Sequence, residues 1–307
     1  MPFLLLFAFT LISAFLLSKY LSKCRTKNLP RGSLGYPLSG ETLSFLRAQR
    51  QDRGLQWLEE RILKHGSVFK TSLMGSPTVV IIGQAGNKFM LSAEDDVLAA
   101  KQPVTTQAIL VNESILGLTG SRYRLLKEAM ITFLKPDSLQ NYVKEMDELV
   151  KSLLLRETKE TDTIKVVVFM KKLTFSMACN ILFGIKDKYT TPALFEDFTL
   201  TSKAIWSLPI NFPGIYWRGL RAQSRIADRI LSILRKKTEE LSKGILSPTS
   251  DLIACMLALR DENQQPIGHH AIIDNCITLL IASHDTSAIL LSLMICKLSR
   301  DPEIYMN

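Results

Sequence analysis

Ala271-Ile272-Ile273-Asp274-Asn275-Cys276-Ile277-Thr278-Leu279-Leu280-Ile281-Ala282-Ser283-His284-Asp285-Thr286-Ser287-Ala288-Ile289-Leu290-Leu291-Ser292-Leu293-Met294-Ile295-Cys296-Lys297-Leu298-Ser299 decides the fold. The run contains no proline or glycine, so it predicts one unbroken helix, ~44 Å long at 1.5 Å per residue. It is apolar nearly all round, which predicts a path through the middle of a large domain. Asp274, Thr278, Ala282, Asp285 and Thr286 stand at i, i+4, i+8, i+11 and i+12. At ~100° per residue they share about a third of the circumference, a narrow polar or small stripe. A carboxylate beside a hydroxyl inside such a helix is costly unless hydrogen-bonded. Asp285-Thr286 is therefore a candidate proton-delivery pair, the acid passing protons and the hydroxyl donating or positioning water. The plain alternative is a satisfied core acid beside a threonine bonded back to its own helix.

Upstream of this helix the pattern is mainly α. Glu41 to Lys64 predicts two short helices, the second around Trp57, Leu58, Ile62 and Leu63, stopped at His65-Gly66. Val68–Leu73 and Thr78–Ile82 predict a β-hairpin across Met74-Gly75-Ser76-Pro77. A short helix follows over 85–92, and 96–118, having no clean period, predicts a loop-rich segment. From Tyr123 the chain reads as helical almost throughout. An apolar face comprises Val143, Met146, Leu149, Val150, Leu153 and Leu154, and an apolar helix from Phe169 to Phe183 is closed by Gly184. Pro209 and Pro213 break a loop, Arg221–Lys243 reads as a charged, exposed helix, and Asp251–Leu259 as a short amphipathic one. The fold class is mainly α with a small β-hairpin.

The N-terminus is different in kind. Residues 1–18 carry no charge, and with Tyr20 and Leu21 the apolar run reaches the length that crosses a bilayer core. Lys19, Lys23, Arg25, Lys27 and Arg31 follow with no acid among them. A retained anchor over 1–21 is favoured over a cleaved signal peptide, because no basic residue precedes the run and a basic stop follows it. The positive flank predicts a cytosolic body. Residues 22–40 read as a basic, Pro/Gly-rich hinge. The net charge of +9 owes five residues to this flank; the rest is interleaved with acids, which argues against a nucleic-acid groove. The five cysteines are odd in number, widely spaced and without C-x-x-C, so neither a disulfide scaffold nor a zinc site is expected.

Ile281-Ala282-Ser283-His284-Asp285-Thr286-Ser287, midway along a long apolar helix, closely resembles the oxygen-activation motif of cytochrome P-450 enzymes. The upstream order of anchor, basic stop, hinge, helices and hairpin is similar to that family. Four strings resemble its plant branch acting on triterpenoids, brassinosteroids and taxane-type diterpenoids: Gly32-Ser33-Leu34-Gly35-Tyr36-Pro37-Leu38-Ser39-Gly40-Glu41-Thr42, Val68-Phe69-Lys70-Thr71-Ser72-Leu73, Leu208-Pro209-Ile210-Asn211-Phe212-Pro213-Gly214, and Asp251-Leu252.

The resemblance implies a cytochrome P-450 fold running through the long central helix, with residues 41–307 forming an incomplete catalytic domain. It implies haem as cofactor, dioxygen, electrons from a membrane reductase, an apolar terpenoid or sterol-like substrate, and an endoplasmic reticulum membrane location. The proton relay falls on Asp285 and Thr286, with Ala282 and Ser283 beside the haem. Ser283 stands where the family usually has glycine, which permits a local distortion of the helix. Tyr123 and Lys127 occupy the positions of a tryptophan and an arginine that hold a haem propionate; a surface pair on an amphipathic helix is the other reading. Leu110, Leu208, Ile210 and Thr278 are the expected substrate contacts. The family's ligand cysteine stands in a Gly-rich loop downstream of the central helix, and none of the five cysteines has such a setting, so no metal ligand is assigned and the 307-residue chain is expected not to form thiolate-ligated haem. Two readings stay open: part of a terpenoid-hydroxylating monooxygenase, or a non-catalytic, membrane-bound helical protein. A structure that places Asp285 and Thr286 facing bulk solvent, or that splits the rod into pieces, would overturn the first.

Overall fold

The computed structural model describes residues 29–36, 39–93, 97–98, 102–110, 113–135, 140, 142–160, 163–186, 190–207, 209, 212–301 and 304, together with Ser13. The proposed anchor, apart from Ser13, and most of the basic flank lie outside the described residues. The chain divides into two compact units, 1–99 and 100–307.

In the first unit, α1 (Thr42–Arg50) and α2 (Gly54–His65) precede an antiparallel hairpin of β1 (Val68–Leu73) and β2 (Ser76–Ile81), and α3 (Gln84–Ser92) follows. The turn is shorter than the tetrad expected from sequence. Met74 and Gly75 both have positive φ, 50° and 77°, and Leu73 pairs directly with Ser76. Two consecutive left-handed residues match the twist of the strands, so Ser76 and Pro77 join β2, where a proline at the start of a two-stranded ribbon is tolerated. The Pro/Gly segment before α1 lies against β1. A Cβ on Gly32 would stand 2.0 Å from the Lys70 carbonyl oxygen, and its φ of 151° is closed to side chains. Glu41 ties the unit together. Arg61 reaches both its oxygens, at 2.9 and 3.1 Å, and the Thr71 hydroxyl donates at 2.7 Å. Burial works to raise the Glu41 pKa, but these bonds outweigh it and leave the carboxyl below its usual range.

The second unit contains α4 (Val104–Leu110), α5 (Gly120–Phe133), α6 (Val143–Glu160), α7 (Val166–Met177), α8 (Thr190–Ile205), α9 (Ile215–Ser242), α10 (Leu252–Ala258) and α11 (His269–Arg300). Three expectations about the helices before α11 need correction. The 96–118 segment holds a helix, α4, because Ile109 and Leu110 are buried and the Thr105 hydroxyl donates to the Ile205 carbonyl at 2.8 Å. The helix after Phe169 does not run regularly to Phe183: Ala178–Leu182 is a π-helical turn, a one-residue insertion that periodicity cannot reveal. Finally, α9 is not wholly exposed. Ala222, Ile226, Ile230 and Leu234, four apart, are buried.

The core gathers Phe175, Phe183, Phe198, Ile226, Ile230, Leu252, Ile253, Ile272, Ile277 and Leu280. Each such side chain contributes about 1.5–3 kcal/mol when fully buried. α8 packs along α9, and α7 along α11. Among the described residues α11 is the one helix long and apolar enough to cross a membrane, but its first half is core: Ala271–Thr278 are all buried.

The expectation of a helix buried along its length is corrected at Ile281. The rod is unbroken, yet Ile289, Leu290, Leu293 and Met294 are 50, 59, 62 and 52% exposed. α7 covers one side of this half through Phe169, Met170 and Leu173 against Ala288; the other side is open.

Candidate active site

The stripe read from the sequence runs straight along α11, from core to open surface. Asp274 is buried and its Oδ2 accepts from the Glu113 backbone N–H at 3.2 Å. Burial raises its carboxyl to about 6, partly opposed by that bond. Asn275 continues the clamp, donating to the Glu113 carbonyl at 3.0 Å and accepting from the Ile115 N–H at 2.8 Å. Sequence reasoning missed this residue; a fully buried amide at the start of an apolar helix was the available signal. Thr278 is buried and donates to the Asp274 carbonyl at 2.8 Å. Leu110 is packed into the main core. Leu208 and Ile210 lie outside the described residues.

At the middle of α11 the stripe opens. Ala282 and Thr286 are exposed on one face, and the Thr286 hydroxyl donates to the Ala282 carbonyl at 2.8 Å. Ser283 donates to the Leu279 carbonyl at 2.8 Å, so the serine is held within regular helix. Asp285 faces α7, where Lys171 Nζ lies 2.8 Å from Oδ1. Its side chain is 47% exposed. Contrary to the expectation of a covered pair, Asp285 is half open and Thr286 is exposed. The cause is local: α7 covers only the Asp285 side. The face that runs from Ala282 through Thr286 to Leu290 and Leu293 is small and hydroxylic at one end and apolar at the other, unlike a face built for water.

Tyr123 and Lys127 are brought together on α5, the ammonium 5.3 Å from the ring centroid, a cation–π contact. α5 packs against α10. Two surface cavities lie elsewhere, about 620 Å³ beside Ser121, Arg124 and Asn263, and about 520 Å³ beside Leu153, Asn180 and Lys186.

The open face at Ala282 and Thr286 has the small side chains that a flat cofactor could approach. Two of the described cysteines do not suit its iron. Cys179 and Cys276 are buried in the apolar core, and burial pushes the Cys179 thiol up to about 12 and raises Cys276 further, against the thiolate a metal needs.

The profile of the Cytochrome P450 family matches residues 30–307. The chain belongs to the cytochrome P450 family. It is 34% identical over 307 residues to taxoid 7-beta-hydroxylase of Taxus cuspidata, covering 99% of this chain and 61% of that protein. It is 31% identical to beta-amyrin 28-monooxygenase of Medicago truncatula, covering 98% and 64%. The chain thus spans about three-fifths of the length of these curated relatives. Among solved structures, the retinoic acid-bound cyanobacterial CYP120A1 superposes with a TM-score of 0.78 at 26% identity, over 90% of this chain and 61% of that one. This cytochrome P450 therefore carries the family's fold through the long helix, as its sequence motifs implied. Haem is the family's cofactor.

Proposed function

We propose that this cytochrome P450 chain is the oxygen-side part of a haem-dependent monooxygenase that hydroxylates a bulky, apolar terpenoid or sterol-like molecule. The observation that carries the reading is the open face of α11, which joins a hydroxyl and an acid to a long apolar stripe. Such a stripe is stable only when another layer covers it, and the relatives are longer than this chain. Bound haem supplies oxygen activation using electrons from a membrane reductase. The chain's own residues do the rest. Asp285 exchanges protons with water, the Thr286 hydroxyl passes a proton on or holds a water beside it, and Ala282 and Ser283 keep the approach narrow. Tyr123 and Lys127 would hold a propionate, more loosely than a bidentate arginine would. Leu110, Leu208, Ile210 and Thr278 would contribute to an apolar substrate pocket. Residues 1–21 would anchor the body on the cytosolic side of the endoplasmic reticulum membrane, with 22–40 as the hinge and 41–307 as part of the catalytic domain.

The test is expression of the longest transcript that contains this sequence with a plant reductase, supplied with triterpene and taxane substrates. Asp285→Asn and Thr286→Ala are each expected to lower turnover by about 10²–10⁴-fold, the range of general acid–base effects, with substrate KM little changed. Turnover equal to the parent in both variants overturns the assignment. The 307-residue chain itself, reduced under carbon monoxide, is expected to show no red-shifted Soret band. The rival reading, a non-catalytic membrane protein, predicts that no transcript extends past Asn307.

A further inference from the structure

His284 precedes the proposed acid, and packing alone does not account for it. The side chain is 6% exposed and sits among Phe175, Phe195 and Phe198, with ring centroids 6.2, 6.0 and 4.9 Å away. Neither ring nitrogen completes a hydrogen bond among the described residues. An imidazole left so is destabilising relative to a satisfied group, whereas a phenylalanine would fill the same aromatic cage without that cost. The nearest charged neighbour explains the choice. Nδ1 of His284 lies 3.1 Å from Asp285 Oδ1, the same oxygen that Lys171 approaches from α7. That oxygen is itself buried although the side chain is 47% exposed, so the exposure falls on the remainder of the group, Oδ2 included. Oδ1 is thus enclosed between an imidazole and an ammonium, in ion-pair range of both though in no completed hydrogen bond.

We propose that His284 and Lys171 are positioning residues that grip Asp285 by Oδ1, so that Oδ2 is the atom that handles protons. The inference rests on the reading of Asp285 as a proton carrier. His284 acts as a neutral imidazole, its Nδ1–H turned toward the carboxylate and its Nε2 buried. Burial lowers its pKa; the Asp285 charge opposes this, the Lys171 charge adds to it, and the polar contacts to Asp285 and to the Lys171 backbone oppose it. The Thr174 hydroxyl, which donates to the Met170 carbonyl at 3.0 Å, also lies 3.3 Å from the His284 carbonyl.

The chain contains four histidines, so selective ¹⁵N-histidine labelling of the detergent-solubilised protein resolves His284. The expected signature is the Nδ1–H tautomer at pH 7, switching to the commoner Nε2–H form in Asp285→Ala. An Nε2–H tautomer in the parent, or no change in the variant, overturns the proposal. In the longer, haem-loaded enzyme His284→Phe, which suits the cage and should fold, is expected to lower kcat about 3–10-fold with KM within twofold. If Asp285→Asn keeps full kcat, the proton-carrier reading and this inference both fail. If Asp285→Asn is impaired while His284→Phe matches the parent, the inference alone fails.

Discussion

Asp274 and Asp285 belong to one stripe of one helix, yet their surroundings ask different things of them. Asp274 is a clamp for the 113–115 backbone, and burial raises its carboxyl from 3.8 to about 6. The folded chain therefore binds this proton more tightly than the unfolded chain. Stability from this group is fully present below about pH 4 and is lost as pH rises to about 6. Asp274→Asn removes the penalty while keeping an acceptor for Glu113. Urea titrations should find the variant level with the parent near pH 4 and more stable at pH 7; a difference that does not grow with pH contradicts the assignment. Thr286 is the converse case. It is exposed and, among the described residues, bonded only to its own helix, so Thr286→Ala should change stability by no more than about 0.5 kcal/mol. Any large loss of turnover in that variant then belongs to chemistry. The sequence made both residues visible through their spacing on an apolar helix. It left His284 unremarked, because a single imidazole in an apolar run carries no periodic signal, and the Asn275 clamp needs the distant 113–115 segment to acquire meaning.

At the scale of elements, Asp251 shows how a short motif becomes architecture. Its Oδ1 accepts from the Ala254 N–H at 3.0 Å and caps α10. Its Oδ2 meets Lys237 of α9 at 2.5 Å, with the two side chains 5 and 10% exposed. Gly184, which ends the π-turn after α7, comes between: a Cβ there would stand 2.7 Å from Asp251 Oδ2 and 2.9 Å from Lys237 Nζ, at a φ of 62°. Three segments thus meet at one buried ion pair. Removing one partner of such a pair leaves a charge without compensation, so Asp251→Ala should cost about 3–5 kcal/mol in chemical denaturation, with part of that from the lost cap. The double variant Lys237→Met/Asp251→Asn should recover most of it, since the cap acceptor stays and no buried charge remains. If the double variant is as unstable as the single, the coupling between the two residues is not what holds the elements. Sequence pattern located α9, α10 and Gly184, but the pairing of Lys237 with Asp251 is tertiary: a lysine on a charged helix reads as solvated until the helix it packs against is known. The hairpin was legible for the opposite reason, its signals being local, and only the left-handed Met74 shortened the turn beyond what composition suggested.

For the whole molecule, the central question is what α11 is for. Its composition demands cover on every side, and that demand was plain from the sequence; which sides the chain itself covers was not, because coverage depends on where α7, α9 and α10 come to lie. They cover the first half and one side of the second. Leu290 and Leu293 mark the side left open. The state of this face makes opposite predictions for two forms of the protein. In the 307-residue chain, Leu290→Glu/Leu293→Glu replaces exposed hydrocarbon by charge, so it should raise the fraction remaining soluble at low detergent without altering helical content by circular dichroism. In a longer polypeptide that packs a further layer on α11, the same two substitutions bury unpaired carboxylates. Each should then cost several kcal/mol, of the order of 2–5 for a lost buried leucine, with charge burial in addition. Haem incorporation should fail with the fold. If the substitutions are tolerated in both forms, the open face of α11 is an ordinary solvent surface, and the reading of Ala282, Asp285 and Thr286 as one wall of an enclosed oxygen site fails with it.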